Sequence, residues 1–231
     1  MFKIITQTDD FVVVEKSAGI NFHDEKQQGS GLFSQVKKQM QIQFSTSELY
    51  PVHRLDKMTS GLVIFAKNIK SAQIFGKLFE NHKIEKYYLA ISDSKPTKKQ
   101  GLIKGDMAKS RRGMYKLLRT LENPAITQFF SYPIASKKRL YLLKPHSGKT
   151  HQLRVALSSI SAPILGDSLY NAKSVADRGY LHAYALRFEF LDTPYQFIVA
   201  PSEGEYFSSV EIKSKLAEIE QPWLLNWPKK V

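Results

Sequence analysis

Residues 51–68 read PVHRLDKMTSGLVIFAKN. Residues 62–67 are a run of branched, aromatic and small apolar side chains that follows Thr59-Ser60-Gly61 and stops at Asn68. That pattern predicts a buried strand and then a helix capped by Asn68. Through residue 81 of that helix, Ile74, Phe75, Leu78 and Phe79 share one apolar stripe, the spacing of a helix laid on a core. Just ahead of the strand, Asp56 stands between Arg54 and Lys57. An acid in that setting is either half of a surface ion pair or a carboxylate held for chemistry.

Working outward, residues 10–15 (DFVVVE) predict a second strand and residues 30–41 a helix between the two. Further strands fit 84–92, 125–132, 139–143, 181–190 and 195–200, and helices fit 150–160 and 210–219. Strands that arrive in runs predict an α+β fold around a mixed, largely antiparallel sheet, here as one domain over residues 1–231. Residues 93–116 hold eight basic and two acidic residues. This segment reads as a basic insertion, too polar for core, serving either as a solvated loop or as an arm that grips phosphates.

The chain has 231 residues, 42% of them hydrophobic and 12% aromatic, enough for a sizeable core. Lysine and arginine number 34 against 21 acids, which favours a polyanionic partner, nucleic acid or an anionic membrane surface. The membrane reading wants a basic amphipathic helix, but around 210–219 two lysines alternate with two glutamates. No apolar run approaches the roughly 20 residues of a membrane span, and the first residues lack a signal-peptide core. No membrane contact and a cytoplasmic location are therefore expected, with a monomer as the default. Cysteine is absent, which excludes a disulfide framework, a thiolate zinc site and a cysteine nucleophile. The six histidines show no tight metal-ligand spacing, so metal ligation is not expected.

Three familiar motifs fail on inspection. The triplet Gly148-Lys149-Thr150 would need a glycine at position 143 to cradle phosphate, and Leu143 stands there. A nucleophile elbow at Ser60 would need glycines where Met58 and Leu62 lie. Ser34-x-x-Lys37 has no partner motif. On a helix from Thr150, Leu153, Ala156, Leu157 and Ile160 form one face, with His151, Arg154, Val155 and Ser158 on the other. Arg154 then lies either on a wet face or in a cleft, where its fork suits a carboxylate or phosphate.

Taken together, HRLDKMTSGL (53–62), EKYYLAI (85–91), HSGKTHQLR (146–154) and ILGDSLY (164–170) closely resemble, in order and spacing, the motifs of the RluA-type RNA pseudouridine synthases. NPAITQF (123–129) and LHAYALRFEF (181–190) are similar to that family's later blocks. The resemblance implies isomerisation of uridine to pseudouridine in structured ribosomal or transfer RNA, through a catalytic aspartate and a flipped base, a redox-neutral reaction for which no cofactor is expected. It assigns Asp56 as the catalytic aspartate, Tyr88 as the tyrosine against the target base, and Arg154 as the basic residue that pairs with the catalytic aspartate. Arg54 corresponds to the arginine near the extruded nucleotide. Lys86, Lys149, His151, Arg111 and Arg112 are the further residues expected to bind RNA. Lys149, Ser147 and Ala156 depart from common family residues, and the chain is expected to lack the small S4 domain that many relatives carry. The rival reading is a non-catalytic RNA-binding or ribosome-assembly protein, which gives no reason to keep an acid among these bases.

Overall fold

The apolar runs become strands of one large sheet. A computed structural model describes residues 1–45, 48–94, 96, 98–135 and 137–229. In chain order the elements are β1 (Phe2–Gln7), β2 (Phe11–Lys16), α1 (Leu32–Phe44), β3 (Tyr50–Pro51), β4 (Ser60–Ala66), α2 (Ile69–Glu80) and β5 (Glu85–Ser92). Then come β6 (Gln100–Gly105), β7 (Met107–Lys109), β8 (Tyr115–Leu117), β9 (Ala125–Ala135) and β10 (Lys138–Pro145). The last are α3 (Gln152–Ser159), β11 (Leu181–Phe190), β12 (Thr193–Ile198) and α4 (Val210–Glu218).

The ten-stranded sheet runs β1-β2-β4-β11-β5-β10-β9-β6, with β12 on β11 and β3 on β4. Every pairing is antiparallel except β11 with β4, so the fold is α+β with a mixed sheet. β4 is buried along its whole length because both faces are covered. Val63 and Phe65 meet Leu32, Val36 and Met40 of α1, while Leu62 and Ile64 lie in the cluster of Phe75 on α2. A strand covered on both faces has no reason to alternate apolar with polar residues. Asn68 caps α2, its Oδ1 accepting from the Ser71 N–H at 2.8 Å.

Two expectations need correction. The basic segment 93–116 is not a loop outside the core: β6 pairs with β9 as an edge strand and buries Ile103, and β7 with β8 forms a separate hairpin. An edge strand bonds one neighbour, so its composition stays close to that of solvent-facing chain. Lys95 and Thr97 of this segment lie outside the described residues. The helix expected over 150–160 starts at Gln152 instead, Val155 is buried, and Arg154 takes the cleft rather than the wet face. Among the described residues no helix is long and apolar enough to cross a membrane.

Gly61, Ala183 and Tyr88 face one another across β4, β11 and β5. The backbone of Gly61 has φ +106°, and a Cβ there would lie 2.3 Å from the Ala183 carbonyl oxygen. Only a residue without a side chain lets β4 come this close to β11. Gly61→Ala is therefore expected to destabilise the fold by roughly 3 kcal/mol through strain and strand separation, measured as a lower urea midpoint.

Candidate active site

The loop from 52 to 59 leads into β4 and presents Asp56 at the floor of a cleft of ≈ 510 Å³. A turn holds it there, the Thr59 N–H donating to the Asp56 carbonyl at 3.0 Å. Lys16, fully buried at the end of β2, braces the same loop from behind. Its ammonium donates to the carbonyls of Ser17 (2.9 Å), Ile20 (2.7 Å) and Lys57 (3.1 Å), an arrangement that satisfies all three of its donors.

Opposite Asp56, the cleft wall is the start of α3 and the loop before it. Gln152 fixes this loop with every polar site in use: its Oε1 accepts from Ser147 Oγ (2.8 Å) and Lys149 N (3.1 Å), and its Nε2 donates to Ile126 O and Thr127 Oγ1, both at 3.1 Å. With that end anchored, Arg154 projects from the first turns of α3 between two carboxylates. Nε and Nη2 donate to Oδ2 and Oδ1 of Asp167 at 2.7 and 2.8 Å, and Nη1 donates to Asp56 Oδ2 at 3.1 Å. The fork thus has one edge locked and one N–H turned to the cleft.

The two aspartates differ in surroundings. Asp167 is fully buried, and its Oδ1 also accepts from the N–H groups of Leu169 and Tyr170. Burial works against its charge, but Arg154 outweighs burial and leaves its pKa below the ordinary aspartate value. The Asp56 side chain stays 22% exposed and lines the cleft. Burial likewise opposes the charge on Arg154, and the two carboxylates overcome it and raise its pKa.

Tyr88 on β5 lines the same cleft. Burial, and then the charge of Asp56, raise its pKa and keep the phenol protonated. Two residues earlier on the same strand face, Lys86 lies half-buried with its Nζ 3.4 Å from the Ser147 carbonyl. Desolvation brings its pKa down to about 8. Arg54, Lys149 and His151 complete the rim. Of the residues the sequence marks out, Asp56, Tyr88, Arg154, Arg54, Lys86, Lys149 and His151 share this cleft. Arg111 and Arg112 do not line it; they are exposed at the tip between β7 and β8.

His53 and His182 are held by structural bonds. His53 Nε2 accepts the Ile64 N–H at 2.9 Å, and burial pushes its pKa down to about 3. Ser60 Oγ, 2.7 Å from His182 Nδ1, has the outline of a nucleophile and base, yet both are buried and Arg178 also donates to Ser60 at 2.7 Å. The hydroxyl proton therefore points to His182, whose Nε2–H donates to Val199 O. This is a structural chain.

Sequence reasoning assigned no role to Asp167, Gln152 or Tyr170. The signal for Asp167 was an acid separated only by Gly166 from apolar Ile164 and Leu165, a position that buries a charge and so calls for a cation.

Residues 10–159 match the family model described as RNA pseudouridylate synthase. An uncharacterized RNA pseudouridine synthase of Haemophilus influenzae is 47% identical over 207 residues, covering 89% of this chain and 90% of that protein. Ribosomal large subunit pseudouridine synthase C of Rickettsia bellii is 30% identical over 79% of this chain, which spans 61% of that longer relative. Among solved structures, human RNA pseudouridylate synthase domain containing 1 shares the fold, with a TM-score of 0.71 at 23% identity over 87% of this chain and 84% of that one.

Removing the Asp167 charge strands Arg154 in the interior. Asp167→Asn is expected to cost roughly 3–5 kcal/mol in urea unfolding at neutral pH. Because the folded-state pKa of Asp167 is depressed, the wild-type contribution is complete above the ordinary aspartate value near pH 4 and is lost as pH falls through the lower folded value. Unfolding measured across that range should show the acid limb flattened in the variant.

Proposed function

Because the chain belongs to the RNA pseudouridylate synthase family, we propose that Asp56 is the catalytic carboxylate of an isomerase that turns uridine into pseudouridine in structured ribosomal or transfer RNA. The enzyme class follows from the family. The observation that carries the residue assignment is the Arg154 fork, bound on one edge by buried Asp167 and donating from Nη1 to Asp56 in the cleft.

The reaction breaks the N1–C1′ bond, turns the uracil in place and joins C5 to C1′. Glycoside hydrolysis usually employs two carboxylates, one of which protonates the leaving group. Here uracil leaves as a delocalised anion and is retained, so one carboxylate suffices. Asp56 acts either as nucleophile at C1′ or as the base that takes a ribose proton, and both roles require an ionised group beside the sugar. Arg154 supports that role by holding the carboxylate in place.

A paired uridine must leave its stack to reach Asp56, at a cost of a few kcal/mol. Tyr88 supplies a ring for the flipped base, worth roughly 1–3 kcal/mol. Arg54, exposed at the cleft mouth, occupies the space the base vacates. Lys86, Lys149 and His151 contact the nucleotides on either side, and Arg111 and Arg112 hold phosphates at a distance from the chemistry. Recognition by flipped bases and backbone shape is the usual mode for structured RNA.

Bulk ribosomal and transfer RNA tritiated at uracil C5 tests the reading, since joining C5 to C1′ releases the label to water. Wild type is expected to release tritium from one of the two pools, while Asp56→Asn and Asp56→Ala bind RNA but release none. Release by either variant would remove Asp56 from the chemistry. Tyr88→Phe keeps the stacking ring, whereas Tyr88→Leu should lower kcat/KM by roughly 10- to 100-fold, in line with one lost stack.

A further inference from the structure

Tyr170 stands where the basic hairpin meets the cleft, and it is bonded on every side. Its hydroxyl accepts the main-chain N–H of Tyr115, the first residue of β8, at 2.8 Å. The same oxygen lies 3.0 Å from Nδ1 of His151. The hydroxyl keeps a second lone pair and its own proton, so it bonds Nδ1 in either neutral tautomer of His151. Burial and the Arg154 charge lower the His151 pKa, which agrees with a neutral ring.

The contacts continue inward. The rings of Tyr115 and Tyr170 each meet His151 edge-on at 5.7 Å. The Arg154 guanidinium lies 5.0 Å over the Tyr170 ring, and the Tyr170 N–H donates to Asp167. One side chain therefore touches the root of the hairpin, the first turn of α3 and the cation that holds Asp56.

His151 adds a second sign that this junction is built for a purpose. It adopts φ +57° at the start of α3 and makes no capping bond with its side chain. Glycine or asparagine would take that left-handed turn with less strain. Neither would offer an imidazole nitrogen to the Tyr170 hydroxyl.

We infer that Tyr170 is a positioning residue that locks the basic hairpin to Arg154, so that RNA gripped at Arg111 and Arg112 is held in register with Asp56. The inference rests on the reading of the cleft as an RNA isomerase site. Tyr170→Phe removes the hydroxyl that holds Tyr115 and His151 and keeps the ring over Arg154. It should leave the fold and the chemical step intact and uncouple the hairpin from them.

The test is a double-mutant cycle on the full chain, comparing wild type, Tyr170→Phe, Arg111→Ala/Arg112→Ala and the triple variant. Each is measured for binding of labelled bulk ribosomal and transfer RNA, for tritium release, and for melting temperature. Tyr170→Phe is expected to raise Kd and KM about tenfold with kcat at saturating RNA changed by less than about twofold. Removing the two arginines should cost about tenfold in the wild-type background and less than about threefold once the hydroxyl is gone. Unchanged KM, a loss confined to kcat, or losses that simply multiply would overturn the proposal, the last being what general destabilisation produces. Wild type that binds RNA without releasing tritium would end the isomerase reading, and the binding cycle would still decide the coupling.

Discussion

Everything at the cleft depends on one guanidinium shared by two carboxylates. Burying Arg154 is costly unless its donors are matched, and a bidentate carboxylate matches two of them along one edge. Asp167 fills that role from a fully buried position, with main-chain N–H groups on its second oxygen. Nη1, on the other side of the guanidinium, reaches Asp56, which keeps an exposed edge. The same residue type thus does two jobs: the aspartate saturated with bonds is structural, and the sparsely bonded one is left available to a ligand.

The sheet brings these groups within reach of one another. Asp56 and Arg154 are far apart in sequence, and the parallel pairing of β11 with β4 sets the floor on which they meet. Missing atoms matter as much as present ones: the bare Cα of Gly61 lets the two strands close, and small Ala183 separates it from Tyr88. Lys16 and Gln152 then use their full bonding capacity on loop carbonyls, amides and hydroxyls, so the two walls of the cleft are stiff without regular secondary structure.

A strand buried on both faces could be read directly, because β4 needs nothing but apolar residues and a terminator to be recognised. Edges were harder. Ile103 in β6 is surrounded in sequence by lysines and glycines, and only its pairing with β9 shows it to be core. On α3 a helical wheel separates two faces, and the short helix has neighbours on both, so Val155 is enclosed while Arg154 takes the cleft, the second of its two readings. Asp56, Tyr88 and Arg154 were legible through motif order. Asp167 and Tyr170 lie in a motif just as visible, yet their significance comes from partners that the fold supplies, which no local pattern encodes.

The position of β11 has a temporal consequence. It fills the gap between β4 and β5, two strands that leave the ribosome far earlier than residues 181–190. Until those residues emerge, β4 and β5 have no shared neighbour, and the edges facing that gap stay open to mispairing. The central joint of the sheet is closed near the end of synthesis, so a growing chain carries the Asp56 loop, β5 and α3 well before it can hold them in one geometry. Competence for chemistry is then acquired late and nearly at once.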